Sequence, residues 1–226
     1  MFSAAIHHTF KKHKNFWNQE RLISLIWTVI LLGIALSFQK FADNYVIETG
    51  GTVVGDILLN NIPTLDIDGL IMMSTLLFTA TIFILGVIKP EYVLFTTKSL
   101  ALFVTIRAFF ITLTHLGIHP DQLVFNQHNI FFSLYDLFYN TRNDFFFSGH
   151  TGIPFLMFLI FYREKFWRLI FLVTSFLFGT FVIVAHMHYS IDVFAAPFMT
   201  YSIFSIARYV FSKDFKLLEK TTREAE

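Results

Sequence analysis

The amino-acid sequence predicts an all-α membrane protein, a bundle of six transmembrane helices with both termini in the cytoplasm. Two observations lead to this prediction. First, 55% of the 226 residues are hydrophobic and only 15% are charged, whereas a soluble domain carries about a quarter charged residues. Second, the few charges flank long uncharged runs, and the basic residues gather on one side of the predicted bundle.

The composition also excludes several classes of protein. A net charge of +1, from 17 basic and 16 acidic residues, gives no support for a nucleic-acid partner. The absence of cysteine excludes disulfide frameworks, thiolate metal sites and cysteine nucleophiles. Since the sequence has neither a glycine-rich nucleotide-binding loop nor a His-Glu-x-x-His run, we expect no cofactor, and a metalloprotease is disfavoured.

The predicted elements follow one another along the chain as a single domain, residues 1–226. Residues 1–21 form a cytoplasmic anchor, which ends in a basic segment with Phe16 and Trp17 at the membrane interface. Apolar runs then approach the roughly 20 residues that a helix needs to cross the hydrocarbon core. They predict spans at about 22–39, 69–88, 99–118, 145–162, 169–186 and 189–208, followed by a cytoplasmic tail at 212–226.

The basic residues predict the orientation of these spans. On the side opposite the termini lie only Lys40 and Arg142, while Arg107 lies within a span. Because basic residues collect in cytoplasmic loops, we expect both termini to be cytoplasmic. The remaining basic residues share the side of the termini: Lys11, Lys12, Lys14, Arg21, Lys89, Lys98, Arg163, Lys165, Arg168, Arg208, Lys213, Lys216, Lys220 and Arg223.

Two connections on the opposite side are long, residues 40–68 and 119–144. In the first, apolar residues from Val53 to Ile62 have the spacing of a short amphipathic helix. This pattern leaves two alternatives open: an interfacial or re-entrant segment, or a loop that packs over the bundle.

Arg107 lies nine residues into the third predicted span. An ionisable residue inside a span is costly and is by default a functional hypothesis. We therefore expect an anionic partner, either a bound anion or a buried carboxylate.

The start of the fourth span has the features of a phosphate site. It reads Asp144-Phe-Phe-Phe-Ser148-Gly149-His150. Ser148 is a good N-cap, Gly149 allows close approach of a ligand, and the N–H groups of a first helical turn suit a phosphate. At the same membrane level, His188 and Asp192 are four residues apart, so we expect them on one helix face, where a carboxylate can orient an imidazole.

Other chemistries fit these spacings less well. A zinc site using His186 and His188 is possible, but residues two apart on a helix face different ways. A serine protease of the Gly-x-Ser-x-Gly type needs glycine where this chain has Phe146 and His150. Ser148 is therefore better assigned to capping and phosphate contact. Phosphoryl chemistry through histidine remains, with one imidazole as nucleophile, a second as acid, and a guanidinium to bind the phosphoryl oxygens.

Segments 144–151 (Asp-Phe-Phe-Phe-Ser-Gly-His-Thr) and 185–193 (Ala-His-Met-His-Tyr-Ser-Ile-Asp-Val) closely resemble the two catalytic motifs of sphingomyelin synthases. Segment 107–120, from Arg107 to Pro120, resembles the arginine-containing third-span motif of the same enzymes. These synthases belong with the wider type 2 phosphatidic acid phosphatase superfamily. The resemblance covers roughly residues 99–200.

The resemblance implies the role of each catalytic residue. His188 would be the nucleophile that forms a phosphohistidine, Asp192 would orient and charge it, and His150 would act as general acid and then base. No metal takes part in this chemistry.

The resemblance also implies how the substrate is held. Arg107 and the backbone of Ser148 and Gly149 would hold the phosphate, while Asp144 would tune His150 or contact the head group. Family members place this site on the non-cytoplasmic side, in agreement with the charge distribution. The membrane would be a bacterial inner membrane or a eukaryotic secretory-pathway membrane.

The sequence departs from the general phosphatase pattern in ways that favour the synthase branch. That pattern has lysine and proline where this chain has Leu100 and Ala108, and Ser-Arg where it has Phe181-Val182. The Cys-Gly-Asp of the synthases is Arg142-Asn143-Asp144 here, which leaves the head group open.

Together these features predict a membrane-embedded lipid phosphotransferase. It would move a phospho-head group from a glycerophospholipid to a lipid hydroxyl such as that of ceramide. The alternative is a lipid phosphate phosphatase or phospholipase C-like hydrolase that uses the same site with water as acceptor. A non-catalytic lipid-binding or scaffold protein is a third class, against which the intact His150, His188 and Asp192 argue.

Overall fold

The computed structural model describes residues 2–114, 116–139 and 146–223. Within these ranges no strand forms, although Thr52 and Leu116 make an isolated bridge. A short 3₁₀ turn at Leu59–Asn61 lies between the second and third helices. The α-helices are α1 Phe2–Phe16, α2 Gln19–Thr49, α3 Asp68–Ile88, α4 Pro90–Leu113, α5 Phe132–Tyr139, α6 Gly149–Ile160, α7 Lys165–Val184, α8 Ser190–Val210 and α9 Ser212–Arg223.

Five of these helices, α2, α3, α4, α7 and α8, are long and apolar enough to cross a membrane. The fourth predicted span, 145–162, differs from the observed α6, which has only 12 residues. At 1.5 Å per residue α6 is about 18 Å long, against about 30 Å for the hydrocarbon core. It is short because Ser148 caps its start and the chain turns at 161–163, and hydropathy alone shows neither feature.

The other spans also shift from their predicted bounds. Helix α2 has 31 residues and continues well beyond residue 39. A buried hydrogen bond of 2.7 Å from Gln39 Nε2 to Asp43 Oδ1 lets polar residues remain helical there. The helix ends at Gly50, whose φ of 71° favours glycine. Helix α4 begins at Pro90, at the first helical position that suits proline.

The connection after α2 packs over one end of the bundle. Outside the three-residue 3₁₀ turn, its described residues form no helix, so the loop alternative holds and the amphipathic-helix alternative is wrong. The Thr52 carbonyl accepts a 2.9 Å hydrogen bond from the N–H of Gly117, and the N–H of Leu65 donates to Val184 O at 2.8 Å. These backbone contacts satisfy groups that an interfacial helix would have paired internally.

Helix α4 lies at the centre of the bundle, where it packs against α1, α2, α3, α6, α8 and α9. The core around it is rich in phenylalanine, and Phe95, Phe103 and Phe171 are fully buried. Close packing requires Gly152 in α6, because a Cβ there would lie 2.7 Å from Phe103 Cζ. By contrast, α2 and α3 expose large apolar side chains, the pattern of a lipid-facing surface.

The two ends of the bundle differ in chemistry. Ion pairs collect at the end of the bundle where α4 begins. The predicted tail forms α9 at this same end, with Phe215 and Leu218 buried against the bundle. The opposite end holds the end of α4 and the starts of α6 and α8. The ion pairs are Lys12–Glu91 at 2.8 Å, Lys98–Asp214 at 2.6 Å, and Lys89–Glu164.

Candidate active site

The structure brings six of the seven predicted site residues together at the end of the bundle opposite the ion pairs. The seventh, Asp144, lies outside the described residues, as do Arg142 and Asn143. The six come from α4, from the start of α6 and from the chain at the start of α8: Arg107, Ser148, Gly149, His150, His188 and Asp192.

Ser148 caps α6, as the sequence predicts. Its Oγ accepts hydrogen bonds of 3.3 Å from both the N–H and the Oγ1 of Thr151. Its own N–H donates to the main-chain carbonyl of Asp192 at 3.0 Å. The fully buried Ser148 side chain is thus committed to the cap, while its backbone joins the start of α6 to the first turn of α8.

Arg107 lies directly against the first turn of α6. The guanidinium donates from Nε to the carbonyl oxygen of Phe147 at 2.7 Å. A Cβ on Gly149 would lie 3.5 Å from Arg107 Nε and 3.6 Å from Cζ, in ordinary van der Waals contact, so the guanidinium lies directly beside this glycine. The positive charge and the N-terminal end of the helix dipole favour an anion at the same place.

His188 and Asp192 pair, although not on one helix face as predicted. Helix α8 begins only at Ser190, so His188 lies in the preceding linker. Asp192 Oδ2 accepts a 3.0 Å hydrogen bond from the N–H of Tyr189 and lies 3.4 Å from His188 Nδ1. The carboxylate therefore reaches back over the N-cap residue. Both side chains are buried, and the carboxylate is placed to accept a proton from Nδ1 of His188.

His150 faces His188 across a short gap. Their ring centroids are 6.3 Å apart, with the planes inclined by 66°. Nε2 of His150 also lies 3.3 Å from the hydroxyl of Tyr135 in α5. Tyr139, one turn further along α5, stacks on Tyr135 with centroids 5.2 Å apart and lies 6.1 Å from His150. Burial raises the pKa of Tyr139, against the effect of its hydrogen bond with Thr79.

The sequence analysis missed these two tyrosines. The available signal was their spacing of four residues on a short helix just before the Ser-Gly-His motif. Spacing alone did not connect them to His150, because that contact depends on how α5 folds back over the bundle.

Asp56 is a third residue to which the sequence assigned no role. Its Oδ2 accepts hydrogen bonds from Ser190 N–H at 2.6 Å and Ser190 Oγ at 2.8 Å, at the start of α8. Its Oδ1 accepts from the N–H groups of Leu58 at 2.9 Å and Leu59 at 3.1 Å. Burial acts to raise the pKa of Asp56, but these hydrogen bonds outweigh it and the net pKa lies below the ordinary value of 3.8.

His186 and His188 belong to different groups of residues. His188 pairs with Asp192, whereas His186 lies beside His119 and Asp121, with the candidate ligand atoms of these three within 4.8 Å of one another. The zinc alternative of the sequence analysis, which combined His186 with His188, does not correspond to this grouping. Within the part of the chain that the structure describes, the residues that could hold a metal are His119, Asp121 and His186.

The fold and the site together define an integral membrane protein in which two histidines, an aspartate and an arginine lie together at one end of a helical bundle. Residues 141–209 match the family model described as PAP2 superfamily C-terminal. This match includes His150, His188 and Asp192, and it supports the PAP2 superfamily, whose members are phosphatases and phosphotransferases. The match covers fewer than a third of the residues of the chain and does not distinguish the sphingomyelin synthase-like branch. No curated protein and no solved structure matches the chain significantly.

Proposed function

We propose that the protein is a membrane-embedded lipid phosphotransferase. It moves a phospho-head group from a glycerophospholipid to a lipid hydroxyl such as that of ceramide, through a phosphohistidine. The observation that carries this proposal is the His188–Asp192 pair, 3.4 Å apart, which faces His150 across the gap beside Arg107.

In the first half-reaction, Nε2 of His188 attacks the phosphorus of the donor lipid. The phosphorus–oxygen bond to the diacylglycerol breaks as protonated His150 gives its proton to the leaving oxygen. The products are diacylglycerol and a phosphorus–nitrogen bond on His188. Asp192, buried against the ring, balances the positive charge that the imidazole gains.

In the second half-reaction, neutral His150 takes the proton of the acceptor hydroxyl. The acceptor oxygen attacks phosphorus, the phosphorus–nitrogen bond breaks, and His188 is regenerated. Negative charge on the phosphoryl oxygens meets Arg107 and the first-turn N–H groups of α6 in both steps. The same geometry serves water as acceptor, which is the hydrolase alternative.

A transfer assay separates the two acceptors. Purified protein in detergent is given a glycerophospholipid labelled in its head group, with and without ceramide. We expect label in a new ceramide-derived lipid and a matching amount of diacylglycerol. Label released into water at the same rate with or without ceramide would instead establish the hydrolase.

Substitutions then test the roles within the site. We expect His188→Ala to lower turnover by more than about a thousandfold, because it removes the nucleophile. Arg107→Lys keeps the positive charge but loses the planar guanidinium with its several N–H donors, and we expect turnover to fall about a hundredfold. His128→Ala is the matched control, since this histidine is exposed. Turnover by His188→Ala close to that of the control would remove the phosphohistidine from the mechanism.

The proposal includes six membrane crossings, with the active site on the non-cytoplasmic side. Lys12 on α1 pairs with Glu91, and Asp214 on α9 pairs with Lys98, so both terminal helices pack at the end where α4 begins. Termini at one end require an even number of crossings, which supports α6 as a short crossing beside the five long helices. The excess of basic residues at that end supports its assignment to the cytoplasm.

The cysteine-free chain is well suited to test this orientation. Asn60→Cys and Lys216→Cys place single thiols at exposed positions on opposite ends of the bundle. We expect a membrane-impermeant maleimide to label residue 60 from the non-cytoplasmic side, and residue 216 only after permeabilisation. The reverse pattern would overturn the orientation, and labelling of both from one side would overturn the six crossings.

A further inference from the structure

His119, Asp121 and His186 form a cluster where the chain after α4 meets the linker between α7 and α8. His119 and Asp121 come from the chain after α4, and His186 comes from the linker between α7 and α8. Their candidate ligand atoms lie within 4.8 Å of one another. The two imidazole rings are nearly perpendicular, with centroids 4.8 Å apart. Both histidines are more than nine-tenths buried, whereas Asp121 is exposed and opens the cluster to solvent.

The hydrogen bonds around His186 define its tautomer. The hydroxyl of Thr64 donates its one hydrogen to the carbonyl oxygen of Asp121 at 2.8 Å. Its 3.0 Å contact with His186 Nδ1 must therefore be one in which the Nδ1–H donates. Nε2 of the neutral ring then carries a lone pair. This atom is buried and makes no hydrogen bond of normal geometry with the residues that the structure describes, although the backbone of Ile62 lies close to the ring.

We propose that His119, Asp121 and His186 bind a transition-metal ion of the Zn²⁺ class. Two imidazole nitrogens and one carboxylate oxygen are a ligand set that Zn²⁺ favours, whereas Mg²⁺ and Ca²⁺ favour oxygen ligands alone. The unpartnered Nε2 of His186 is the first ligand, and the Thr64 hydroxyl fixes the ring from the other side, as hydrogen bonds to metal-bound histidines commonly do.

The remaining geometry suits such an ion. Tetrahedral Zn²⁺ ligands at about 2.0–2.1 Å lie about 3.4 Å apart, so ligand atoms that now lie within 4.8 Å of one another must approach by up to about 1.4 Å. Binding through His119 Nδ1 replaces only the long 3.2 Å hydrogen bond from the N–H of Asp121. A cavity of about 520 Å³, lined in part by His119 and Asp121, has room for a water molecule in the fourth position.

The ion would join the segment that follows α4 to the linker that carries His188. A backbone hydrogen bond of 2.9 Å from Leu123 N–H to Ala185 O already connects these segments. The ion adds a second connection two residues before His188 and takes no part in the phosphoryl transfer proposed above. The proposal departs from the expectation that the protein holds no metal, and it does not depend on the proposed reaction.

Zinc binding by the purified full chain, prepared without a histidine tag and stripped with a chelator, tests the proposal. Zn²⁺ is titrated in competition with a chromogenic indicator. We expect wild type to bind one equivalent more than His186→Asn, a substitution chosen because asparagine tolerates the φ of 53° at this position. Asp121→Asn should lower the affinity for this additional zinc ion at least tenfold. His128→Ala, a substitution at an exposed position, should bind zinc as wild type does.

Thermal unfolding provides the second readout. We expect Zn²⁺ to raise the melting temperature of wild type and His128→Ala but not of His186→Asn, and Ca²⁺ to raise none of them. Equal zinc stoichiometry in wild type and His186→Asn would overturn the site. If His186→Asn does not fold, the exposed Asp121→Asn decides the question, because unchanged affinity in that variant would equally refute the proposal.

Discussion

Replacing Asp56 by asparagine removes half of the acceptors that hold the start of α8. The carboxylate accepts four hydrogen bonds, two from Leu58 and Leu59 in its own loop and two from Ser190. An amide has only one acceptor oxygen. If that oxygen keeps the two loop bonds, the amide NH₂ faces the N–H of Ser190 and the donors repel each other.

The lost hydrogen bonds and the lost charge both lower the free energy of unfolding of Asp56→Asn. A hydrogen bond to a charged acceptor contributes about 1.5–3 kcal/mol, and leaving a buried donor unpaired costs about 1–3 kcal/mol. A negative charge at a helix N-terminus contributes roughly 0.3–1 kcal/mol more. Because these terms overlap, we expect Asp56→Asn to destabilise the protein by about 3 kcal/mol. For a chain of this length that lowers the melting temperature by about 6–12 °C.

Thermal unfolding in detergent checks this value, with Asp66→Asn as the matched control on an exposed residue of the same connection. Since Ser190 directly follows the segment with His188, turnover should fall together with stability. If the melting temperature of Asp56→Asn stays within about 2 °C of the control, the four hydrogen bonds do not hold α8 and the reasoning is refuted.

The same carboxylate predicts a pH dependence. Its folded pKa lies below the ordinary value of 3.8, so its stabilising contribution is complete above that value and is lost as the pH falls through the folded pKa. Wild type should therefore lose more stability than Asp56→Asn between about pH 4 and pH 2. Parallel curves for the two proteins would contradict the lowered pKa.

Two further substitutions test the packing and the surroundings of the site. Gly152→Ala should destabilise the protein by about 1–3 kcal/mol, because the new methyl group would overlap the buried ring of Phe103. The control Gly33→Ala has open space around the new methyl group and should be neutral or stabilising. Equal melting temperatures for the two variants would argue against close packing at Gly152. Tyr135→Phe removes the hydroxyl that lies 3.3 Å from His150, so we expect turnover to fall about tenfold and its pH profile to shift. The control Tyr209→Phe, at an exposed position, should change neither turnover nor the pH profile. An unshifted pH profile for Tyr135→Phe would show that this hydroxyl does not act on His150.

Hydropathy and charge predicted the helical membrane character of this chain, because both depend on composition along a local run. They did not predict the length of α6, since Ser148 and the turn at 161–163 divide a run that is apolar throughout. Nor did they predict that α2 continues past residue 39, where Gln39 and Asp43 satisfy each other inside the helix.

The contacts within the site could likewise be predicted only where they follow from a local sequence pattern. Motifs predicted six residues that the structure places at one end of the bundle, because each motif is contiguous or tied to a helix start. The contact between Asp56 and Ser190 joins residues 134 positions apart, and no local pattern encodes it. The grouping of His186 with His119 similarly depends on how two loops meet. His188 and Asp192 pair across a cap, not along a helix face.

The hydrogen bond from the N–H of Ser148 to the carbonyl of Asp192 links two helix starts through their main chains alone. His150 follows one end of this link by two residues, and His188 precedes the other by four. This hydrogen bond therefore fixes the main-chain separation of the two segments that carry the imidazoles. In the proposed reaction, this link would keep the two histidine-bearing segments in register, whatever side chains surround them.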